Sequence, residues 1–175
     1  MNLSRVRVRA GYTAGALALF FAEPTRDSLL QGGVLALLGE LIRIWASGHI
    51  EKTHRLATGG PYAHTRNPLY VGSVLMALGL LVAARHPISV GAGLAYLAVF
   101  YPFIIREEAK FLRAKFPDQY HDWALKVPLF FPRITPGGPR ESRFETSRLL
   151  ANHEWRSVLG LVLLAAFMVW RLGSG

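Results

Sequence analysis

Three stretches of this chain hold residue types that could do chemistry. The first runs from His54 to Tyr70 and contains Gly59-Gly60-Pro61 and Asn67-Pro68. Its glycines let backbone come close to a ligand, and its prolines fix the chain direction. Tyr62 and Tyr70 bracket it with amphipathic rings. The second is Glu107-Glu108, at the end of an apolar block, with Arg106 and Lys110 beside it as ion-pair partners. Paired carboxylates near lipid are costly without such partners. The third is Glu40 with Arg43, three apart on one face of another apolar block. An arginine buried in a membrane costs ~2.5–3.5 kcal/mol, so this reads as a structural pair inside a bundle. Taken singly, the other two also have plain readings: a turn with interfacial tyrosines, and a solvated helix end. The 6 histidines form no i, i+4 pair with an adjacent acid and there are 0 cysteines, so no metal site is expected.

The elements that must position these residues are apolar. Of 175 residues 51% are hydrophobic and only 18% are charged. The apolar residues come in blocks, about Ala10–Ala22, Leu29–Ala46, Leu69–Ala84, Ile88–Ile105 and Ser157–Trp170. Each falls somewhat short of the ~20 residues that span a bilayer comfortably, which thinning or snorkelling accommodates. Leu75–Ala84 and Leu159–Trp170 offer no polar stripe to water, which argues against a soluble bundle. The expected fold is therefore all-α, an integral membrane bundle of about five transmembrane helices. The net charge of +9 lies between the apolar blocks rather than on one aromatic-laced face, which points to a membrane surface and away from nucleic acid. Placing the N-terminus inside puts Arg5–Arg9, residues 47–68 and residues 106–156 on the cytoplasmic side, as the positive-inside rule asks. The first block lacks a small residue three before a cut at Ala22 and reads as an uncleaved helix. The inner segments 47–68 and 106–154 are too long to be mere connectors. An amphipathic helix is expected near Glu107–Phe116, and a flexible, solvated loop over about 134–150 before a last span at 155–171.

In combination the motifs become specific. His54-x-Leu-x-x-x-Gly-Pro-Tyr62, Arg66-x-Pro68-x-Tyr70-x-Gly72, and Glu107-Glu108 followed by Leu112, Phe116, Tyr120 and Val127-Pro128 resemble the isoprenylcysteine carboxyl methyltransferase and phospholipid N-methyltransferase superfamily. The resemblance covers roughly Ser47 to Arg133, within one domain over 1–175. It implies a membrane enzyme using S-adenosyl-L-methionine in a cytoplasm-facing pocket, capped by the Pro-rich tail, with a lipophilic acceptor reached from the bilayer. Carried over by position, His54, Arg55, Leu56, Ala57, Gly60, Tyr62, Asn67, Pro68, Leu69 and Tyr70 would contact the cofactor. Glu108 would hold one of its polar groups as a buried carboxylate. Such a cofactor carries a sulfonium, an ammonium and a carboxylate, so it wants an acid, aromatic faces and backbone donors.

Two positions depart from the family. Its frequent Arg-His-Pro reads Arg66-Asn67-Pro68 here, and asparagine can donate a hydrogen bond but cannot act as a base. The carboxyl methyltransferases place an acceptor-facing arginine one turn before the glutamate, where this chain has Ile104. Arg106 is the nearest substitute, although it points about 200° around the helix from Ile104. Asn67 and Arg106 are therefore the catalytic candidates. An NADPH-dependent reductase of the related sterol-reductase type and a non-catalytic membrane scaffold are the competing readings.

Overall fold

Proline opens three of the helices and so sets the borders of the chain's central part. The computed structural model describes residues 3–50, 55–138 and 143–174. In them lie α1 (Leu3–Phe20), α2 (Arg26–Ser47), α3 (Pro68–Ala84), α4 (Pro87–Lys115), α5 (Pro117–Lys126), α6 (Thr146–Ala151) and α7 (Trp155–Ser174), with a 3-10 turn at Gly60–Ala63. Pro68, Pro87 and Pro117 each stand first in their helix. There the missing N–H would have had no partner, and the fixed φ already suits the helix. No strand occurs among the described residues, in keeping with the all-α class.

Helix α4 is longer than the sequence pattern predicts. The apolar block ending at Ile105 and the amphipathic stretch after it form one helix of 29 residues. Pro102 lies inside it and removes one N–H without ending it. From Ile104 to Lys115 the residues are mostly strong helix formers with no glycine, so nothing stops the helix at the charged boundary. At 1.5 Å per residue its length of ~43 Å exceeds a ~30 Å hydrocarbon layer.

The helices long and apolar enough to cross a membrane number 3 among the described residues: α2, α4 and α7. This is fewer than the five expected. Helix α3 is apolar but shorter, at 17 residues, and α1 carries Arg5, Arg7 and Arg9 in its first half. Large apolar side chains point outward along the long helices, among them Leu30 and Val34 on α2, Val99 on α4, and Val162 and Leu163 on α7. A soluble protein seldom exposes so much contiguous apolar surface, whereas lipid makes it favourable.

The chain forms two compact units. Unit 1 comprises Met1–Leu38, Val74–Phe103 and Gly160–Gly175. In it α2 and α3 pack backbone to backbone, since a Cβ on Gly32 would meet the Gly79 carbonyl oxygen at 2.3 Å. Small residues at such a crossing are what van der Waals packing in lipid selects. Ser28 Oγ donates to Ala83 O (3.0 Å), Ser89 Oγ to Ala18 O (2.8 Å) and Arg171 Nε to Ala22 O (3.1 Å), so backbone oxygens left over at helix ends are met.

Unit 2 comprises Gly39–Ser73 and Ile104–Leu159, and holds nearly every residue of chemical interest. Its core is Ala46, Tyr62, Tyr120, Trp123 and Val127. The stretch 134–150, expected as a mobile loop, is tied down where it is described. Gly137 N donates to Ala63 O (2.8 Å), Glu145 N to Gly48 O (3.0 Å), and Thr146–Ala151 is helical. The Phe144 ring occupies the space a side chain at Gly48 would need. Its described residues are mostly exposed, as the polar, proline-rich composition predicts, and the backbone bonds hold them at these points.

Candidate functional site

A cleft of ≈ 350 Å³ opens in unit 2, within the size range of small-molecule sites. Most of it is built by Arg55–Ala57, the run from Tyr62 to Tyr70, and the last turns of α4 from Glu108 to Lys115 with Phe116 just beyond them. Trp123 of α5 closes one wall.

Local chemistry dictates the shape of the 62–70 run. Gly60 has φ +58, in the left-handed region where a side chain is strained. That turn delivers Pro61, Tyr62 and Ala63 into the interior as buried residues. The Trp123 indole N–H donates to Tyr62 O at 3.0 Å and pins the turn to α5. The chain then bends into α3 at Pro68, with Asn67 O accepting from Val71 N at 3.0 Å.

The proline-rich tail works differently from a cap. Arg66 N donates to Pro128 O (2.9 Å), Thr65 Oγ1 to Phe130 O (2.8 Å), Asn67 Nδ2 to Leu129 O (2.9 Å) and Arg133 N to His64 O (3.0 Å). Residues 128–137 thus run along 63–67 as a strap, and none of them lines the cleft. Proline keeps the strap out of a helix and leaves its carbonyls free to accept, so it bends along the turn and clamps it.

Most of the residues singled out in the sequence meet here. Arg55, Leu56, Ala57, Tyr62, Asn67, Pro68, Leu69, Tyr70 and Glu108 all line the cleft. His54 lies outside the described residues. Gly60 does not line the cleft, and the space beside it is filled by the His49 ring, 2.5 Å from where a Cβ would sit. Arg106 is exposed and does not line the cleft either. It projects from a face of α4 different from that of Glu108, two residues on, as helical geometry requires. Glu108 itself is exposed at the cleft, not buried as expected. A carboxylate at such a position gains more from water than from an apolar wall. Asn67 is buried, and its amide is committed to Leu129.

Sequence reasoning missed Arg43, Phe111, Lys115 and Trp123, which also line the cleft. Phe111 and Lys115 lie one and two helical turns beyond Glu108, so the helical period alone could have found them. Arg43 and Trp123 come from α2 and α5, and no local signal joins those helices to this site.

The electrostatics follow from burial. Tyr62 is held well above the ordinary phenol range, first by burial and then by the carboxylates of Glu108 and Glu154. It stays a neutral hydroxyl at any physiological pH. Arg66 donates from Nη1 to the Tyr120 hydroxyl at 2.9 Å, with its guanidinium carbon 5.5 Å from that ring's centroid. An acid at the cleft, the Tyr62 phenol and apolar walls suit a small ligand that carries both positive charge and a flat ring.

Residues 36–119, just under half of the chain, match the phospholipid methyltransferase family model. Curated relatives include the cobalt-zinc-cadmium resistance protein CzcN of Cupriavidus metallidurans, 40% identical over 61% of this chain and 50% of that protein. The nickel-cobalt-cadmium resistance protein NccN of Alcaligenes xylosoxydans xylosoxydans is 37% identical over 62% of this chain and 52% of its own length. A probable protein-S-isoprenylcysteine O-methyltransferase of Oryza sativa subsp. japonica is 33% identical over 59% of this chain and 60% of its own. The chain spans about half the length of the first two of these relatives. No solved structure matches it.

Proposed function

We propose that this chain is a membrane methyltransferase that uses S-adenosyl-L-methionine on a lipophilic acceptor; the match of residues 36–119 to the phospholipid methyltransferase family model and the 33% identity to a probable protein-S-isoprenylcysteine O-methyltransferase support this. The observation that carries this reading is the cleft, where Arg55–Ala57, Tyr62, Asn67–Tyr70 and Glu108 converge from three separate segments. These are the positions at which the resemblance expects the cofactor.

The residues present fit such a cofactor. Glu108, exposed beside the cleft, offers a carboxylate to an ammonium group. Tyr62, Tyr70 and Trp123 supply aromatic faces for a cation. When bound, the cofactor supplies an electrophilic methyl group on sulfur. The protein's part is to hold the two reactants in line, and positioning of that kind accounts for ~7–11 kcal/mol of a barrier when it is well realised. Leu56, Leu69 and Leu112 give the cleft apolar walls that keep water from a reactive cation. Asn67 acts in this scheme by holding the 65–68 turn to Leu129, and no proton transfer is assigned to it.

The same reading places five helices across the bilayer, with α1 and α3 accommodated as short spans and the N-terminus and cleft on the cytoplasmic side. The distribution of Lys and Arg supports that orientation. The test is calorimetric titration of detergent-solubilised protein with S-adenosylhomocysteine. Binding that NADPH does not compete for is the expected result. Absence of binding at millimolar ligand rejects the proposal, and competition by NADPH points instead to the reductase.

A further inference from the structure

The outward side of the strap has no task in the cleft, yet it carries large apolar groups. Phe131 is 81% exposed and Ile134 96%. The backbone on either side of them is fixed: Phe130 O accepts from Thr65 Oγ1, Arg133 N donates to His64 O, and Gly137 N donates to Ala63 O. Their exposure therefore belongs to the fold, because a chain pinned at these points cannot turn both side chains inward. Phe131 meets the Phe130 ring edge-on at 5.4 Å and leaves most of its surface open. Leu125, near the end of α5, is 74% exposed, and the Arg133 guanidinium ties the strap to that helix end by donating to Lys126 O. Large apolar groups held outward on one fixed segment mark an interaction surface.

Two cations accompany them. Lys126 and Arg133 are exposed and enter no ion pair among the described residues, although Asp122 lies one turn before Lys126 on α5. Arg133 gives Nη1 to Lys126 O and Nη2 to Thr135 Oγ1, and its guanidinium has further N–H groups to offer. Apolar side chains beside cations fit a phospholipid surface, which offers acyl chains to the first and phosphate to the second. Depth agrees with this. Helix α4 has 29 residues, and its ~43 Å equals a bilayer with both headgroup layers, ~40–45 Å. With Pro87 at one face, Lys115 stands among the headgroups of the other. Helix α5 begins two residues later, at Pro117, and the strap is bonded to its end.

We propose that the strap is a foot on the bilayer: Phe131 and Ile134 enter the boundary between headgroups and acyl chains, and Lys126 and Arg133 meet lipid phosphates. The partner is the phospholipid surface itself, and no lipid is taken up as substrate, so this does not depend on the methyltransferase reading. The contact has a consequence for the cleft. The strap's carbonyls accept from Arg66 N at Pro128 and from the Asn67 amide at Leu129, and Arg66 and Asn67 both line the cleft. A strap held by the bilayer steadies those two residues from the side opposite the ligand space.

The test uses the full chain in nanodiscs of phosphatidylcholine with phosphatidylglycerol. The sequence has 0 cysteines, so F131C, I134C and Q119C each take a single nitroxide label. Gln119 is an exposed polar position on α5 and serves as the aqueous reference. Molecular oxygen concentrates among acyl chains, and a nickel chelate stays in water. The expected result is a shift of relaxation toward oxygen at positions 131 and 134 relative to 119. Nickel reaching all three labels equally overturns the proposal. Exclusion of both agents at 131 and 134 overturns it too, by showing protein there, and spin–spin broadening then identifies a second copy of this chain. A label-free arm compares the thermal unfolding of wild type, F131S/I134S and F131L/I134V in the same nanodiscs. Side chains this exposed contribute little to stability when they face water. A melting temperature lowered by about 4 °C or more in F131S/I134S therefore reports lost lipid contact. F131L/I134V keeps most of the wild-type value, because it retains apolar surface and gives up only the Phe130 ring contact. An unchanged or raised melting temperature in the serine variant overturns the proposal, as does an equal loss in F131L/I134V.

Discussion

The side-chain amide of Asn67 donates to the carbonyl oxygen of Leu129 across 2.9 Å, joining the turn before α3 to the strap that follows α5. Asn67 is buried, so losing this donor would leave the Leu129 carbonyl without the partner it has in the fold. Asn67→Ala is expected to lower stability by about 1–3 kcal/mol. Asn67→Asp does the same or worse, because an ionised carboxylate cannot donate. Thermal unfolding in detergent measures both, and wild-type stability in the two variants would mean the bond has no role.

Glu108 is the carboxylate the proposed cofactor site depends on. Glu108→Gln keeps the shape and removes the charge. It is expected to weaken S-adenosylhomocysteine binding by roughly 10–100-fold, the ~1.5–3 kcal/mol of a hydrogen bond to a charged group. Because Glu108 is exposed in the free protein, the melting temperature should hardly move. Calorimetry paired with a melt separates the two effects, and an unchanged affinity would remove Glu108 from the site.

Tyr62 gives a pH signature. Burial raises its ionisation in the folded state well above that of an unfolded tyrosine, with Glu108 and Glu154 adding to the effect. Below the unfolded value of ~10 both states hold the proton and stability does not depend on this group. Above ~10 the unfolded chain releases the proton while the folded chain keeps it, so stability falls as pH rises. Melting temperatures from pH 9 to 11 should drop more steeply in the wild type than in Tyr62→Phe. Parallel curves would contradict this.

Gly60 combines a left-handed backbone with crowding by His49. Gly60→Ala therefore incurs the left-handed penalty of ~1–2 kcal/mol plus displacement of a buried imidazole. The expected outcome is destabilisation of at least that size, with S-adenosylhomocysteine affinity reduced because Tyr62 follows two residues later. His49→Ala in the same chain should relieve part of the cost by opening the space. Additive losses in the double variant would show that the ring is not what a side chain at Gly60 meets.

The sequence by itself determined what depends on composition and short-range spacing. Apolar blocks and helix-opening prolines placed α2, α3 and α7 within a few residues of their borders, because burial in lipid and fixed φ are local constraints. The family resemblance that the ordered motifs carry, rather than spacing alone, pointed to the cleft's lining from Arg55 to Tyr70 and at Glu108. Tertiary structure alone decided the rest. Whether the proline-rich tail caps the cleft or clamps the 63–67 turn depends on partners up to 74 residues apart, such as Ala63 and Gly137. Arg43 shows the reason most clearly. Its nearest acid along the helix is Glu40, with which it forms the expected ion pair at 3.9 Å, but its closer contacts are Ser73, Glu154 and Ser157 from elsewhere in the chain. An arginine side chain reaches several ångströms in any direction its rotamers allow, and only packing selects the direction.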